Sequence, residues 1–239
     1  MNPHQRRRRP GTTHDSKAIR RARRSVLRDG MKTLQYLVLD FETTGLEELL
    51  DDIIEVAVIG TDAELNEKFR YETCIQPTEL AMTRLLDNEY VLNMHKGNGL
   101  FDVVRSGFEH GKAIPSLAQV DAELAKRIDL YRHVMSDGTM KRITLAGSGV
   151  SHFDARFIRA LMPKLYSRIN ASTFDVGGFR RQYEQWNGFD LTDANESKTH
   201  RAMDDVECHL EEMRAFREVF VNHGKTAKTS TFSLNGAIT

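Results

Sequence analysis

Residues 36–46, Tyr-Leu-Val-Leu-Asp-Phe-Glu-Thr-Thr-Gly-Leu, place two carboxylates directly after a short apolar run. The run from Tyr36 to Leu39 is typical of a buried β-strand. Residues two apart in a strand point to the same face, with Cα atoms roughly 6.5–7 Å apart. We therefore expect Asp40 and Glu42 on one side of the strand, where two like charges repel unless something positive lies between them.

The composition is typical of a soluble globular domain. Of the 239 residues, 40% are hydrophobic and 28% are charged, and a chain of this length can bury a sizeable core. No apolar run approaches the roughly 18 residues of a membrane span. The two cysteines, Cys74 and Cys208, form neither a metal-type pair nor a disulfide framework. We therefore expect one catalytic domain in a reducing, cytoplasmic setting.

The formal net charge of zero conceals a strong asymmetry. Residues 1–30 carry ten Lys or Arg and two Asp, a net +8, so the remainder of the chain carries −8. This basic segment is either an arm that contacts phosphates or a disordered, dispensable extension, and it lacks the apolar stretch of a secretory signal. We expect a folded domain at 31–223, followed by a disordered tail at 224–239 that is rich in Ser, Thr and Gly.

Strands and helices alternate along the predicted domain. Apolar patterns predict five strands, at about 34–40, 53–59, 68–75, 143–146 and 172–175. Helical patterns cover about 79–106 with short breaks, 117–134, 152–162 (stopped at Pro163), 176–186 and 200–222. The last of these places an apolar stripe at Met203, Val206, Leu210, Met213 and Phe220. Strands in series, followed by strand–helix alternation, predict an α/β domain with a mixed sheet.

A third acid, Asp154, follows a glycine-containing loop at 147–149. It falls in the first turns of a predicted helix, beside a buried stripe that repeats every four residues. Taken alone, Asp154 is best explained as a carboxylate that complements the positive end of the helix dipole.

His200 precedes a fourth acid, Asp205, by five positions. Five residues of an ideal helix turn the side chain by about 140° net, so the two would not share a face. They converge only if His200 lies in the loop before the helix, an arrangement that Thr199 as N-cap would fit. Without further context the pattern favours two surface residues.

Together these segments resemble the DEDDh family of 3′→5′ exonucleases, which have a ribonuclease H-like fold. The three motifs lie at 40–46, 153–158 (Phe-Asp-x-x-Phe-Ile) and 200–205 (His-Arg-Ala-Met-Asp-Asp), in the family's order. Within that family the chain is most similar to oligoribonucleases, over roughly residues 33–222. The resemblance implies a mixed five-stranded sheet flanked by helices.

The resemblance also implies roles for individual residues. Four acids are expected to be catalytic and to bind metal: Asp40, Glu42, Asp154 and Asp205. His200 is implied as the group that accepts a proton from the attacking water, for which a histidine is suited near neutral pH. Substrate contacts are implied for Thr43, Thr44, Leu46 and His95, with Leu46 against a terminal base. Lys198 and Arg201 are either solvated charges or contacts to the substrate backbone.

Elementary electrostatics agrees with a metal site. At about 4 Å and an effective dielectric near 20, each like-charge pair costs about 4 kcal/mol. Gathered acids therefore bind protons or cations. All-oxygen ligation favours Mg²⁺ or Mn²⁺, and two ions about 3.5–4 Å apart form a clamp for phosphoryl displacement.

The resemblance implies that the substrate is single-stranded nucleic acid and that the protein is a homodimer. It also implies that nucleoside 5′-monophosphates are released from the 3′ end of short RNA. The chain departs from oligoribonucleases at Ala171-Ser172 and Val150, where they carry Tyr-Arg and serine that help to cap a 5′ phosphate.

A proofreading-type DNA exonuclease is an alternative, because these motifs contact phosphates and metals rather than the 2′-hydroxyl. A non-catalytic nucleic-acid-binding module is another, although the intact set of acids argues against it. Tyr183 and Trp186 either stack on bases or pack in a dimer contact, and their helical spacing of three favours packing.

Overall fold

The computed structural model describes residues 33–110, 114–132, 135, 138–191 and 199–227. The basic arm expected at 1–30, the part of the expected tail from residue 228 onward, and Lys198 lie outside the described residues. Among the described helices, none is both long and apolar enough to cross a membrane.

A five-stranded mixed sheet forms the centre of the domain. Its strands are β1 (Tyr36–Thr43), β2 (Ile53–Thr61), β3 (Glu67–Cys74), β4 (Ile143–Gly147) and β5 (Ile169–Asp175), in the order β3-β2-β1-β4-β5. The pairs β1–β2 and β2–β3 are antiparallel, whereas β1–β4 and β4–β5 are parallel. The predicted mixed five-stranded sheet is thus confirmed. Because β1 continues to Thr43, both Asp40 and Glu42 lie within the strand rather than beyond its end.

Eight helices surround this sheet in the described part of the chain. They are α1 (Glu79–Asp87), α2 (Glu89–Gly97), α3 (Leu100–His110), α4 (Leu117–Tyr131), α5 (Asp154–Leu161), α6 (Pro163–Tyr166), α7 (Val176–Asn187) and α8 (Ala202–Ala227). The stretch predicted at 79–106 is three helices, because Asn88 and Asn98 interrupt it and accept hydrogen bonds from the N–H groups of Val91 and Leu100. Pro163 also begins a short helix rather than only ending the one before it.

The helices cover both faces of the sheet. Leu37 and Leu39 point into a core shared with α4, α5 and α6, whereas Val38 points to the other face, into a core shared with α7 and α8. Helices α1–α3 pack around Ile54 in a third cluster. Side chains alternate along β1, so Asp40 and Glu42 are directed to the face that α8 covers.

The apolar stripe of α8 differs from its prediction at one position. Val206, Leu210 and Met213 are buried, with Met203 packed against them. The next buried residue is Phe216, and Phe220 is 58% exposed. The prediction for Phe220 was wrong because this part of α8 packs beside α7, where Phe220 lies on the rim of a groove. The helix also continues past residue 223, where we expected the domain to end.

Candidate active site

A cavity of about 300 Å³ opens where β1, α2 and the loop before α8 meet. Six of the predicted site residues line it: Asp40, Glu42, Thr43, Leu46, His200 and Asp205. Asp154, Thr44 and His95 are buried and are not among the lining residues. The sequence motifs therefore meet at one place, although they lie as far apart as residues 40 and 205.

The centre of the cavity is a cluster of three groups. One potential ligand atom each from Glu42, His200 and Asp205 lies within 4.8 Å of the others. Asp205 is in the first turn of α8, and His200 lies in the loop before that helix with an exposed side chain. This is the placement that convergence of His200 and Asp205 requires. Thr199 does not act as the expected N-cap: its Oγ1 accepts from the N–H of Arg201, which precedes the helix, and donates to the side chain of Asp204 in the first turn.

Asp154 is the first residue of α5 and only 3% exposed. Its Oδ1 is buried without a hydrogen-bond partner among the described residues. Burial raises the pKa of this carboxyl, the backbone N–H groups of Asp154 and Phe41 act in the opposite direction, and the charge of Asp175 adds to the rise. An acid placed in this way is costly to ionise unless a cation is near.

The pKa of Glu42 is raised as well. Burial, followed by the charges of Asp205, Glu55 and Asp154, raises the pKa of Glu42 to about 8, although Arg201 acts in the opposite direction. The metal-free protein thus holds a proton in the cluster at neutral pH. The carboxylates of Asp40, Glu42 and Asp205 line the cavity, and Asp154, with its unpaired oxygen, lies close enough behind it to raise the pKa of Glu42. Such a set of oxygens fits a hard divalent cation such as Mg²⁺ or Mn²⁺.

His95 lies behind the cavity wall and is fully buried. Its Nε2 donates to the carbonyl oxygen of Thr43 at 2.9 Å, and its Nδ1 lies 3.9 Å from a carboxylate oxygen of Glu42. Burial lowers the pKa of this imidazole. In this structure His95 holds the end of β1 in place, and its contact with substrate stays a prediction.

The turn after β1 is fixed by Asp51. Its carboxylate accepts hydrogen bonds from Arg84 Nε at 2.8 Å and from the N–H of Glu47 at 2.9 Å, with the hydroxyl of buried Thr44 at 3.4 Å. A Cβ added at Gly45 would lie 2.4 Å from Asp51, so only glycine allows this close approach. The result is that Leu46, 66% exposed, stands at the mouth of the cavity.

Several residues of the cavity were not predicted from the sequence. Tyr90 and Met94 come from α2, and His209 lines the cavity one turn after Asp205. The spacing of four between Asp205 and His209 does signal neighbours on one helix face. Nothing in the local pattern distinguishes Tyr90, whose largely exposed ring lies at the cavity through the packing of α2.

Comparisons with known proteins agree with this geometry. The RNase_T family model, described as an exonuclease, matches residues 37–96, which contain the first acidic motif and His95. The oligoribonuclease of Klebsiella pneumoniae is 30% identical over 183 residues, which cover 77% of this chain and 93% of that protein. The oligoribonuclease of Neisseria meningitidis serogroup A is 31% identical over 186 residues, covering 77% and 90%.

Solved structures show the same fold. The exonuclease I of Methylocaldum szegediense aligns with a TM-score of 0.52 at 16% identity over 77% of this chain and 40% of that one. E. coli exonuclease I in complex with a dT13 oligonucleotide gives 0.52 at 15% identity, over 81% and 43%. This chain thus spans about two fifths of their length, and at such identity the likeness concerns the fold alone. With curated relatives that it covers almost end to end, the chain belongs to the oligoribonuclease family and is a 3′→5′ exonuclease.

Proposed function

We propose that this enzyme hydrolyses phosphodiester bonds from the 3′ end of short RNA and releases nucleoside 5′-monophosphates. The observation that carries the proposal is the grouping of Glu42, His200 and Asp205 within 4.8 Å, in a cavity with an exposed leucine at its mouth. The choice of RNA rests on the curated relatives, which are named oligoribonucleases.

The acids of the site would hold two divalent ions, Mg²⁺ or Mn²⁺, through Asp40, Glu42, Asp154 and Asp205. Such a pair of ions supplies a nucleophile at neutral pH and stabilises the charge on the leaving 3′ oxygen. Burial of Glu42 and Asp154 keeps bulk water from competing for their oxygens. The imidazole of His200, exposed at the cavity and close to both Glu42 and Asp205, accepts the proton of the attacking water.

The mouth of the cavity is suited to a nucleotide base. Leu46 and Tyr90 offer an exposed aliphatic and an exposed aromatic side chain beside the acidic cluster. Bases of single-stranded nucleic acids pack against such surfaces without regard to sequence. Ala171 and Ser172 are exposed on β5 and present neither a ring nor a guanidinium group to a 5′ phosphate. We therefore propose that the enzyme accepts RNA longer than a dinucleotide.

Substrate preference tests the proposal directly. Purified protein is incubated with 3′- or 5′-labelled RNA and DNA, from two to about 30 nucleotides, with Mg²⁺ or Mn²⁺. We expect stepwise shortening of RNA from the 3′ end, dependence on the added metal, and cleavage of DNA at least about tenfold more slowly. Absence of cleavage on every substrate would contradict an enzymatic function, and a preference for long DNA would overturn the assignment to RNA.

An apolar face on α7 and α8 supports assembly into a homodimer. Phe179, Trp186 and Phe220 are exposed there around a groove of about 750 Å³. Exposed apolar patches of this kind mark interaction sites in soluble proteins. We propose that a second copy of the chain covers this face, as the family resemblance implies.

Trp186→Glu is expected to convert the dimer to a monomer, because it places a charge in the middle of the proposed interface. The ring is 77% exposed, so the folded monomer should tolerate the change. Sedimentation velocity measures the assembly state. The matched control is Leu130→Glu, at a 71% exposed leucine on α4, which packs on the opposite face of the sheet. A monomeric wild type, or a dimeric Trp186→Glu variant, would contradict this interface.

A further inference from the structure

Glu55 is a fully buried carboxylate next to the site. It lies in β2, where all nine residues are buried, and it is the register partner of Glu42 on β1. Both residues are therefore directed to the face that α8 covers. A buried charge persists in a folded protein only when it is paired and hydrogen-bonded.

The closest partners of Glu55 are Arg201, just before α8, and Ala202, its first residue; the thiol of Cys74 on β3 lies farther away, at 4.0 Å. Arg201 donates from Nε to both carboxylate oxygens at 3.1 Å and from Nη2 to Oε1 at 2.6 Å. The N–H of Ala202, the first residue of the helix, donates to Oε2 at 3.0 Å. The carboxylate thus caps α8 and holds the guanidinium with two donors, a geometry that lysine cannot reproduce. Arg201 is engaged inside the protein rather than directed at substrate.

His200 immediately precedes this anchored pair. Its φ of +53° lies in the left-handed region, which non-glycine residues seldom adopt. The side chain itself is exposed, so little packing holds the imidazole. Its backbone is held instead: Asn98 Nδ2 donates to the carbonyl oxygen of His200, and Glu55 fixes the next two residues.

We infer that Glu55 and Arg201 are a positioning pair that holds His200 over the acidic cluster. This inference rests on the proposed role of His200 as the group that takes the proton from water. Neither residue of the pair lines the cavity. Their charges act on the pKa of Glu42 in opposite directions, so the contact that only this pair supplies is the anchoring of the loop that carries the imidazole. A displacement of about 1 Å in such a group is enough to slow a reaction by up to about 100-fold.

Arg201→Lys keeps the positive charge but removes the forked contact to Glu55. We expect kcat on short RNA to fall about 10- to 100-fold, with KM and the affinity for Mn²⁺, measured by calorimetry, changed less than about twofold. If circular dichroism shows that Arg201→Lys is unstable, Glu55→Asp takes its place. This change withdraws the acceptor by one methylene and should likewise lower kcat while leaving KM nearly unchanged. The matched control is Arg70→Lys: Arg70 also pairs with a residue of α8, Glu207, but on the exposed surface. It should retain wild-type kcat.

A double-mutant cycle with His200→Ala decides the mechanism. If Arg201 acts through His200, Arg201→Lys should cost less than about twofold in the His200→Ala background, measured in single turnovers. The same loss in both backgrounds would overturn the positioning role while leaving the proposed function intact. Wild-type activity of His200→Ala alone would instead overturn the proposed role of His200, and the inference with it.

Discussion

Replacing Asp154 with asparagine is expected to lower the cleavage rate by about 10³-fold or more, because it removes several kcal/mol of stabilisation that an anionic metal ligand supplies in the transition state. The same change should stabilise the metal-free protein. Asp154 is 3% exposed with an unpaired Oδ1, and burial raises its pKa. Asparagine keeps the shape and removes the charge, so we expect the melting temperature at pH 8 to rise by roughly 5 °C.

A lower cleavage rate together with a higher melting temperature distinguishes an acid that serves function from one that stabilises the fold. Asp121, within α4, provides the matched control, since it is also 3% exposed and its carboxylate meets the N-terminus of α6. Its carboxylate accepts from the N–H groups of Lys164 and Leu165 at 3.0 and 2.8 Å. Asp121→Asn should therefore lose about 1–3 kcal/mol of stability and retain its kcat. Substantial cleavage by Asp154→Asn, or a lowered melting temperature in that variant, would mean that the second motif is misassigned.

The parts of the site that were predictable are those set by local geometry. Strand alternation alone places Asp40 and Glu42 on one face, and helical periodicity places Asp205 in the first turn of α8. The requirement that His200 precede the helix follows from the same helical geometry. These inferences need only the period of each element, which the order of apolar residues reveals.

The depth of His95 and Thr44 could not be predicted, because it depends on which elements pack over them. Both were expected to contact substrate, yet both are buried, His95 beneath β1 and Thr44 against the Asp51 network. Their polar atoms are used to shape the end of β1 and the turn that exposes Leu46. Burial of this kind is a tertiary property, so a sequence motif specifies the residue without specifying which surface it meets.

Glu55 is a different case, since the sequence carries a signal. It is the single charged residue within the apolar run from Ile53 to Ile59, and a charge in a fully buried strand requires a partner. The sequence does not identify that partner as Arg201, which lies 146 positions away. Only the antiparallel pairing of β2 with β1 and the docking of α8 bring the two together.

Metal-free protein is expected to lose stability as the pH rises from 6.5 to 8.5, and divalent cations are expected to restore it. The pKa of Glu42 is raised from 4.5 to about 8. The unfolded chain therefore releases this proton near pH 4.5, whereas the folded protein retains it up to about pH 8. Stability that depends on the bound proton is complete below pH 4.5 and is lost as the pH approaches 8. The raised pKa of Asp154 acts in the same direction.

The window between pH 6.5 and 8.5 isolates this effect. Burial lowers the pKa of His95. The contribution of His95 to the stability of the folded protein therefore increases with pH, but this increase is largely complete above pH 6.5. Over the window, Glu42 alone accounts for about 2 kcal/mol, or roughly 4–8 °C in melting temperature. Differential scanning calorimetry with a chelator present measures the fall, and saturating Mn²⁺ should raise the melting temperature more at pH 8.5 than at pH 6.5.

Glu42→Gln is the control that assigns the effect to the site. It removes the larger titrating group while preserving size, so the fall in melting temperature without metal should shrink clearly across the window, leaving only the part that Asp154 contributes. Because ionised carboxylates bind the cation, metal binding should also release protons, and the heat of Mn²⁺ binding should depend on the ionisation enthalpy of the buffer. A flat stability profile in the wild type would show that the acids are already ionised in the absence of metal. Their mutual repulsion would then have to be relieved by groups of the protein itself rather than by a bound ion.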